Sequence, residues 1–157
     1  MPSVAALAGV IWRACYGGII SKEQIEYMLK RMYSIETMRE EILREAIRYE
    51  RLVMDEEFIG FASYGPAGRP ETFKLHKLYL HPDRQGRGLG SFLLRHCERE
   101  ARQGGARSLI LNVNKGNTRA IVVYQKNHFR ITESVVVDIG GGFVMDDYVM
   151  EKELHEA

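Results

Sequence analysis

The sequence predicts a mixed α/β (α+β) fold, with a central, largely antiparallel β-sheet flanked by helices. Three observations carry that prediction. Apolar residues recur at helical spacing over roughly the first fifty residues, then give way to short β-branched and aromatic runs. Midway, the strand-like run Phe73 to Leu80 leads through a glycine-rich turn into an amphipathic helix. The remainder, after Arg107, is again β-rich and folds back on itself at Gly140-Gly141-Gly142, a hairpin signature.

Each element has its own signal. Pro2 to Ala14 reads as a helix with Val4, Leu7, Ala8 and Ile11 on one side, broken at Gly17-Gly18. Ser21 caps a second helix with Gln24 at the capping-box position, and Ile25, Met28, Leu29 and Met32 form its buried stripe. Ser34 caps a third, which runs to about Tyr49 and presents Glu and Arg to solvent. Strands at Tyr49–Met54 and Phe58–Tyr64 flank the hairpin turn Asp55-Glu56-Glu57, and Gly65 to Pro70 is a loop. Phe73–Leu80 is the strand entering the glycine-rich turn, Gly88–Gln103 the helix leaving it, and Gly104-Gly105 its stop. A strand Arg107–Val113, a short helix from Asn117, and strands Phe129–Asp138 and Phe143–Leu154 complete the order.

Composition narrows the class. At 157 residues the chain is read as one domain, 1–157, long enough to bury a core. Lys and Arg number 22 against 21 Asp and Glu, a balance that argues against nucleic acid as a partner. Cys15 and Cys97 lack metal-ligand spacing, so no metal is predicted; both read as small core residues in a reducing, cytoplasmic setting. No apolar run reaches membrane-spanning length and no signal-peptide pattern opens the chain, so no membrane partner is predicted. The near-zero net charge and β-rich C-terminal part are compatible with a homodimer, with no interface located.

The chemistry concentrates in Leu78-Tyr79-Leu80-His81-Pro82-Asp83-Arg84-Gln85-Gly86-Arg87-Gly88-Leu89-Gly90. A helix N-terminus offers unpaired N–H groups and the positive end of the helix dipole, so an anion sits there readily. Glycines let the backbone approach that anion closely, and Arg84 and Arg87 supply charge-assisted hydrogen bonds to phosphate oxygens. A P-loop would need Gly-Lys-Ser/Thr, which the chain lacks. A dinucleotide fingerprint would need Gly-x-Gly-x-x-Gly and an acidic end to the next strand; here the glycines run Gly86-x-Gly88-x-Gly90 and that strand ends in amides and a lysine.

What fits is Gln/Arg-x-x-Gly-x-Gly/Ala. Gln85 to Gly90 resembles the acetyl-CoA loop of the Gcn5-related N-acetyltransferase (GNAT) family. A second segment, Asn117-Thr118-Arg119-Ala120-Ile121-Val122-Val123-Tyr124-Gln125-Lys126-Asn127-His128-Phe129, resembles that family's Asn-x-x-Ala helix with its Tyr and closing Phe. It departs at His128, where the family usually has Gly; histidine tolerates a positive φ at a helix C-cap, though less easily. The family also opens with a β-strand, and here Met1 sits almost on the first helix, so that strand is expected to be missing or short.

The resemblance implies roles. Acetyl-CoA is the expected co-substrate and an amine the acceptor, with direct attack on the thioester in a ternary complex. Its pyrophosphate would lie on residues 85–90 (Gln85, Gly86, Arg87, Gly88, Leu89, Gly90) with Arg84 and Ser91 beside them. Its pantetheine arm would lie along the backbone of Leu78, Tyr79 and Leu80, left free by splayed parallel strands, and against Asn117 and Ala120. Leu80 N–H is the implied oxyanion donor and Tyr124 the implied general acid for the leaving thiolate. Asn117 also reads as a helix cap, and Tyr124 as an amphipathic core residue.

The general base is left open. His76 has a suitable intrinsic pKa and, by the two-residue period, shares a face with Leu78 and Leu80; the competing reading is a structural histidine. Glu71, Tyr79 and a water relay are further candidates. For the acceptor, Lys77 to Pro82 and Asp146 to Lys152 resemble bacterial small-molecule members, including spermidine/spermine N-acetyltransferases. Carboxylates for a polyamine exist at Glu23, Glu26, Glu36, Asp146 and Asp147, each also explained as a solvated face or turn. Trp12, Tyr27 and Tyr33 are candidate cleft aromatics that also fit a core. Protein N-terminal or lysine acetylation is the alternative, and a non-catalytic acetyl-CoA sensor the alternative of another class; the retained Tyr124 and the absence of an acid in the loop favour an enzyme.

Overall fold

The computed structural model describes residues 1–155. Three helices lead the chain: α1 (Pro2–Tyr16), α2 (Lys22–Met32) and α3 (Ile35–Arg44). Their starts obey local rules, since the Ser21 hydroxyl accepts from Gln24 N–H and the Ser34 hydroxyl from Thr37 N–H, both at 3.1 Å. α3 ends at Arg44 rather than near Tyr49. Ala46 turns left-handed (φ +56°), and Tyr49 joins the sheet, where its hydroxyl donates to Glu41.

Six strands come next, β1 (Arg48–Met54), β2 (Glu57–Pro66), β3 (Thr72–Leu80), β4 (Ser108–Asn114), β5 (Arg130–Gly140) and β6 (Phe143–Glu153), in the order β1-β2-β3-β4-β6-β5. α4 (Leu89–Gln103) and α5 (Thr118–Lys126) are the crossovers before and after β4. The sheet edge is β1, with no strand ahead of α1 among the described residues. Asp55 and Glu56 both adopt positive φ, the conformation a two-residue hairpin turn demands. All pairs are antiparallel except β3 with β4.

The sheet separates two cores. Leu93, Leu94, Cys97 and Ala101 of α4 pack with Leu75, Leu109, Leu111 and Met150 on one face. On the other, Ile11 and Trp12 of α1, Ile25 and Met28 of α2 and Met38 of α3 cover Phe61. Trp12 and Tyr33 are interior, joined by an indole N–H to hydroxyl bond of 3.3 Å. No helix among the described residues is long and apolar enough to cross a membrane.

Two irregularities in β3 open the sheet at its centre. Its parallel pairing with β4 spans only Thr72↔Ser108 to Leu75↔Leu111, after which the strands part. At the same place the β2 register skips His76, a bulge in which Ser63 faces Lys77 and Tyr64 faces Leu75. Consequently Leu75 and Leu78 meet the same core although they stand three residues apart, and the alternation that would put His76 in step with Leu78 and Leu80 is broken.

Candidate active site

A cleft of about 650 Å³ occupies the gap between the parted strands. Leu78, Tyr79 and Leu80 line one side, Asn112 and Val113 the other, Tyr16 and Ile19 come from the α1 side, and Ala120, Val123 and Tyr124 from α5. In an antiparallel pair, successive N–H groups point to opposite edges. His81 N–H donates to Ile59 O on β2, at 2.7 Å, so Leu80 N–H turns the other way, toward the gap.

The glycine-rich turn closes the end of the cleft. Gly86 and Gly88 hold φ of +80° and +77°, and Gly88 is the left-handed N-cap of α4. A left-handed residue ahead of a helix forms a concave nest of backbone N–H groups, which suits an anion. A Cβ on Gly88 would meet nothing within 4 Å, so the glycine answers a backbone conformation rather than a crowded space. Gln85 braces the turn: its amide donates to Leu80 O (3.3 Å) and to Cys15 Sγ (3.4 Å). Cys15, expected in the core, is instead half-buried on the cleft wall, whereas Cys97 is fully buried and its thiol is pushed up to about 12, by burial first.

The predicted site residues divide. Gln85, Gly86, Gly88, Gly90, Ser91, Leu78, Tyr79, Leu80, His76, Asn117, Ala120 and Tyr124 all border the cleft. Arg84, Arg87 and Leu89 do not; the Arg84 guanidinium is drawn to Glu57 on β2, with which it pairs. Arg119, at the start of α5, faces the nest instead, with Nη2 3.3 Å from where a Cβ on Gly86 would be. Its signal in the sequence is its place two residues after Asn117, within the Asn-x-x-Ala motif. The Ser91 hydroxyl accepts from the Asn127 amide (3.0 Å), tying the start of α4 to the end of α5. Glu71 lies at the other end of β3, beside Arg107.

Asn117 does cap α5, its side-chain carbonyl accepting from Ala120 N–H at 3.3 Å. His128 takes φ +72° at the helix end, and Phe129 N–H returns to Tyr124 O. The Phe129 ring meets Tyr124 edge-on, centroids 5.8 Å apart, and so fixes the phenol. Burial, then Tyr16 and Cys97, raises the Tyr124 pKa, so the phenol is a held proton rather than a phenolate. Tyr16 is the aromatic that α1 brings to the cleft, and burial raises its pKa as well. Trp12, Tyr27 and Tyr33 do not line the cleft, and Tyr27 donates to Ile139 O (2.8 Å) in the β5–β6 hairpin.

His76 borders the cleft with its ring open to solvent yet set among protein on several sides. Burial, then the Lys74 cation, holds it down at about 4, so it is a neutral imidazole at neutral pH. Lys77 beside it is 3% exposed, and its ammonium is engaged by both Glu41 oxygens (3.2 Å) and the Tyr49 hydroxyl (2.6 Å). No carboxylate is among the cleft-lining residues. A more open hollow of about 860 Å³, lined by Glu71, Arg102, Arg107 and Glu151 among others, lies at the opposite sheet end, without a glycine nest or a strand gap. No cluster of metal-binding side chains exists among the described residues.

This geometry offers an N–H nest for an anionic group, a row of unpaired strand amides for an extended amide chain, and a buried phenol beyond them. That combination suits a pyrophosphate carrying a long amide-containing arm. Comparisons with known proteins agree with it. The sequence profile of the acetyltransferase (GNAT) family matches residues 13–129. The chain is 29% identical to the spermidine N(1)-acetyltransferase of Thermoplasma acidophilum over 146 residues, 90% of this chain and 84% of that protein. It is 29% identical over 119 residues to the L-methionine sulfoximine/L-methionine sulfone acetyltransferase of Salmonella typhimurium, 72% of this chain and 70% of that protein. Among solved structures, PaiA N-acetyltransferase from Thermoplasma acidophilum, in complex with coenzyme A, superposes with a TM-score of 0.81 at 28% identity, over 97% of this chain and 91% of that one.

Proposed function

The chain belongs to the acetyltransferase (GNAT) family, and from that premise we propose that it transfers the acetyl group of acetyl-CoA to a primary amine of a small, polyamine-like molecule. It is an acetyl-CoA-dependent N-acetyltransferase; the polyamine acceptor and the residue roles are our reading. The observation that carries it is the coincidence of the strand gap with the glycine nest: the same cleft holds unpaired amides of β3 and the positive end of α4.

In this reading the nest holds the pyrophosphate, with Arg119 as the cation beside it. The gap-facing amides of β3 bind the pantetheine arm. Leu80 N–H donates to the thioester oxygen as negative charge develops on attack by the amine. Tyr124 gives its proton to the departing thiolate; a phenol raised by burial remains protonated until then. His76, neutral and on the cleft, takes the amine's proton directly or through water. One domain carries all of these parts.

The polyamine acceptor is supported by the spermidine N(1)-acetyltransferase relative. An α-amino acid is the second reading, favoured by the methionine sulfoximine relative. The test is release of CoA from acetyl-CoA over a panel of polyamines, amino acids, aminoglycosides and N-terminal peptides, with Tyr124→Phe alongside. Fast release with spermidine or spermine is expected, and Tyr124→Phe should lower kcat by about tenfold or more with the KM for acetyl-CoA within about twofold. Release confined to amino acids would establish the second reading. Unchanged turnover in Tyr124→Phe would remove that residue from the mechanism.

A further inference from the structure

We propose that Asn127, which does not border the cleft, is a positioning residue for CoA: its amide occupies a lone pair of the Ser91 hydroxyl, so that the hydroxyl proton is left for a pyrophosphate oxygen. The inference rests on the placement of the pyrophosphate on the α4 nest and adds a side-chain donor to it.

The start of α4 is built without a cap of its own. An N-cap side-chain oxygen ordinarily takes up an N–H of the first turn, and Gly88 has none to offer. The N–H of Phe92 is the first to bond within the helix, to Gly88 O at 3.0 Å, which leaves those of Leu89, Gly90 and Ser91 open. Ser91 is the third residue of the helix and lines the cleft. Its backbone N–H and its hydroxyl therefore stand together at the anion end of α4.

A hydroxyl has one proton to give and lone pairs with which to accept. Asn127 decides how Ser91 uses them. The Asn127 amide nitrogen donates to Ser91 Oγ at 3.0 Å and to Val123 O at 2.8 Å. A carbonyl oxygen only accepts, so the contact with Val123 requires nitrogen, not oxygen, at that corner of the amide. The backbone fixes it further, since Asn127 N–H bonds Val123 O and Tyr124 O at 3.1 and 3.0 Å, anchoring the residue on the last turn of α5. An amide nitrogen cannot accept the Ser91 proton, and that proton has no other protein acceptor among the described residues. It remains available to an anionic oxygen in the cleft, where an O–H to O⁻ bond is among the stronger kinds.

The test is a double-mutant cycle on CoA binding, read by titration calorimetry on wild type, Ser91→Ala, Asn127→Ala and the double variant. Ser91→Ala should weaken CoA by about tenfold or more, the usual effect of losing a hydrogen bond to a charged group. Asn127→Ala should weaken it by about fivefold or more, and the double variant should bind within about twofold of Ser91→Ala. A loss from packing alone would persist in the Ser91→Ala background. Should Asn127→Ala melt well below wild type, Asn127→Asp carries the comparison: it keeps the size but accepts the Ser91 proton, and its penalty should be about fivefold greater with Ser91 present than in Ser91→Ala, which subtracts the added charge. Equal penalties in the two backgrounds, or an Asn127→Ala Kd within about twofold of wild type, would overturn the role of Asn127. Unchanged binding in Ser91→Ala would overturn it as well, while leaving the nest intact. CoA bound no more tightly than pantetheine by wild type would overturn the placement of the pyrophosphate and this assignment with it.

Discussion

Gly88 allows the proposed pyrophosphate site to be tested apart from the fold. At φ +77° any other residue is strained, by roughly 1–2 kcal/mol. A Cβ there meets nothing within 4 Å, so Gly88→Ala and Gly88→Glu share that strain without adding a clash at the Cβ. For a chain of this size each kcal/mol lowers Tm by about 2–4 °C, so both variants should melt about 2–8 °C below wild type. Binding should separate them. A carboxylate about 4 Å from a bound phosphate is opposed by about 1 kcal/mol in water and about 4 kcal/mol at an effective dielectric constant near 20. Gly88→Glu should therefore bind CoA from about fivefold to about a thousandfold more weakly than Gly88→Ala. Titration calorimetry at low and high salt, beside thermal melts, gives both quantities, and added salt should narrow the gap. Equal CoA affinity for the two variants at low salt would refute the placement of the pyrophosphate on this loop.

The cleft yields two further expectations. Arg119 is exposed and makes no hydrogen bond or ion pair among the described residues, so Arg119→Ala should leave Tm unchanged while weakening CoA binding by about tenfold to a hundredfold, the usual effect of losing a hydrogen bond to a charged group. An unchanged Kd would take the guanidinium away from the phosphates. His76, held at about 4, binds its proton more weakly folded than unfolded, where the value is 6.5. Its contribution to stability is therefore full above about pH 6.5 and is lost as pH falls toward 4, so wild type should lose Tm across that window more steeply than His76→Gln; parallel slopes would refute the depressed value.

Local chemistry made much of this molecule readable from its sequence. Ser21, Ser34 and Asn117 cap helices through bonds to residues three positions on, and glycines at 86 and 88 announce left-handed backbone. What could not be read depends on distant partners. The end of α3 is decided by Tyr49 bonding Glu41 and Lys77. The direction of His76 is decided by the register of β2, and the fate of Arg84 by Glu57 on that strand. Tyr16 and Trp12 stand one helical turn apart on α1, and only the parting of β3 from β4 decides that the former meets the cleft. Asp147 resembles a turn residue in sequence, because the length of the β5–β6 hairpin that makes it mid-strand is set by pairing across Gly140.

The short contact between β3 and β4 also bears on mechanics. Four residue pairs are the only strand pairing that joins β1-β2-β3 to β4-β6-β5 among the described residues, and the helices bridge the rest. Beyond Leu75, the N–H groups of β3 that point to the gap rather than to β2 have no strand partner, and water fills that role unless a ligand takes its place. An extended amide-bearing substrate laid in the gap acts as a missing rung between the two half-sheets, so loading makes the two halves one cooperative unit. Its signature is amide exchange: protons of residues 76–80 that point to the gap should slow on loading, and the halves should then open together rather than separately.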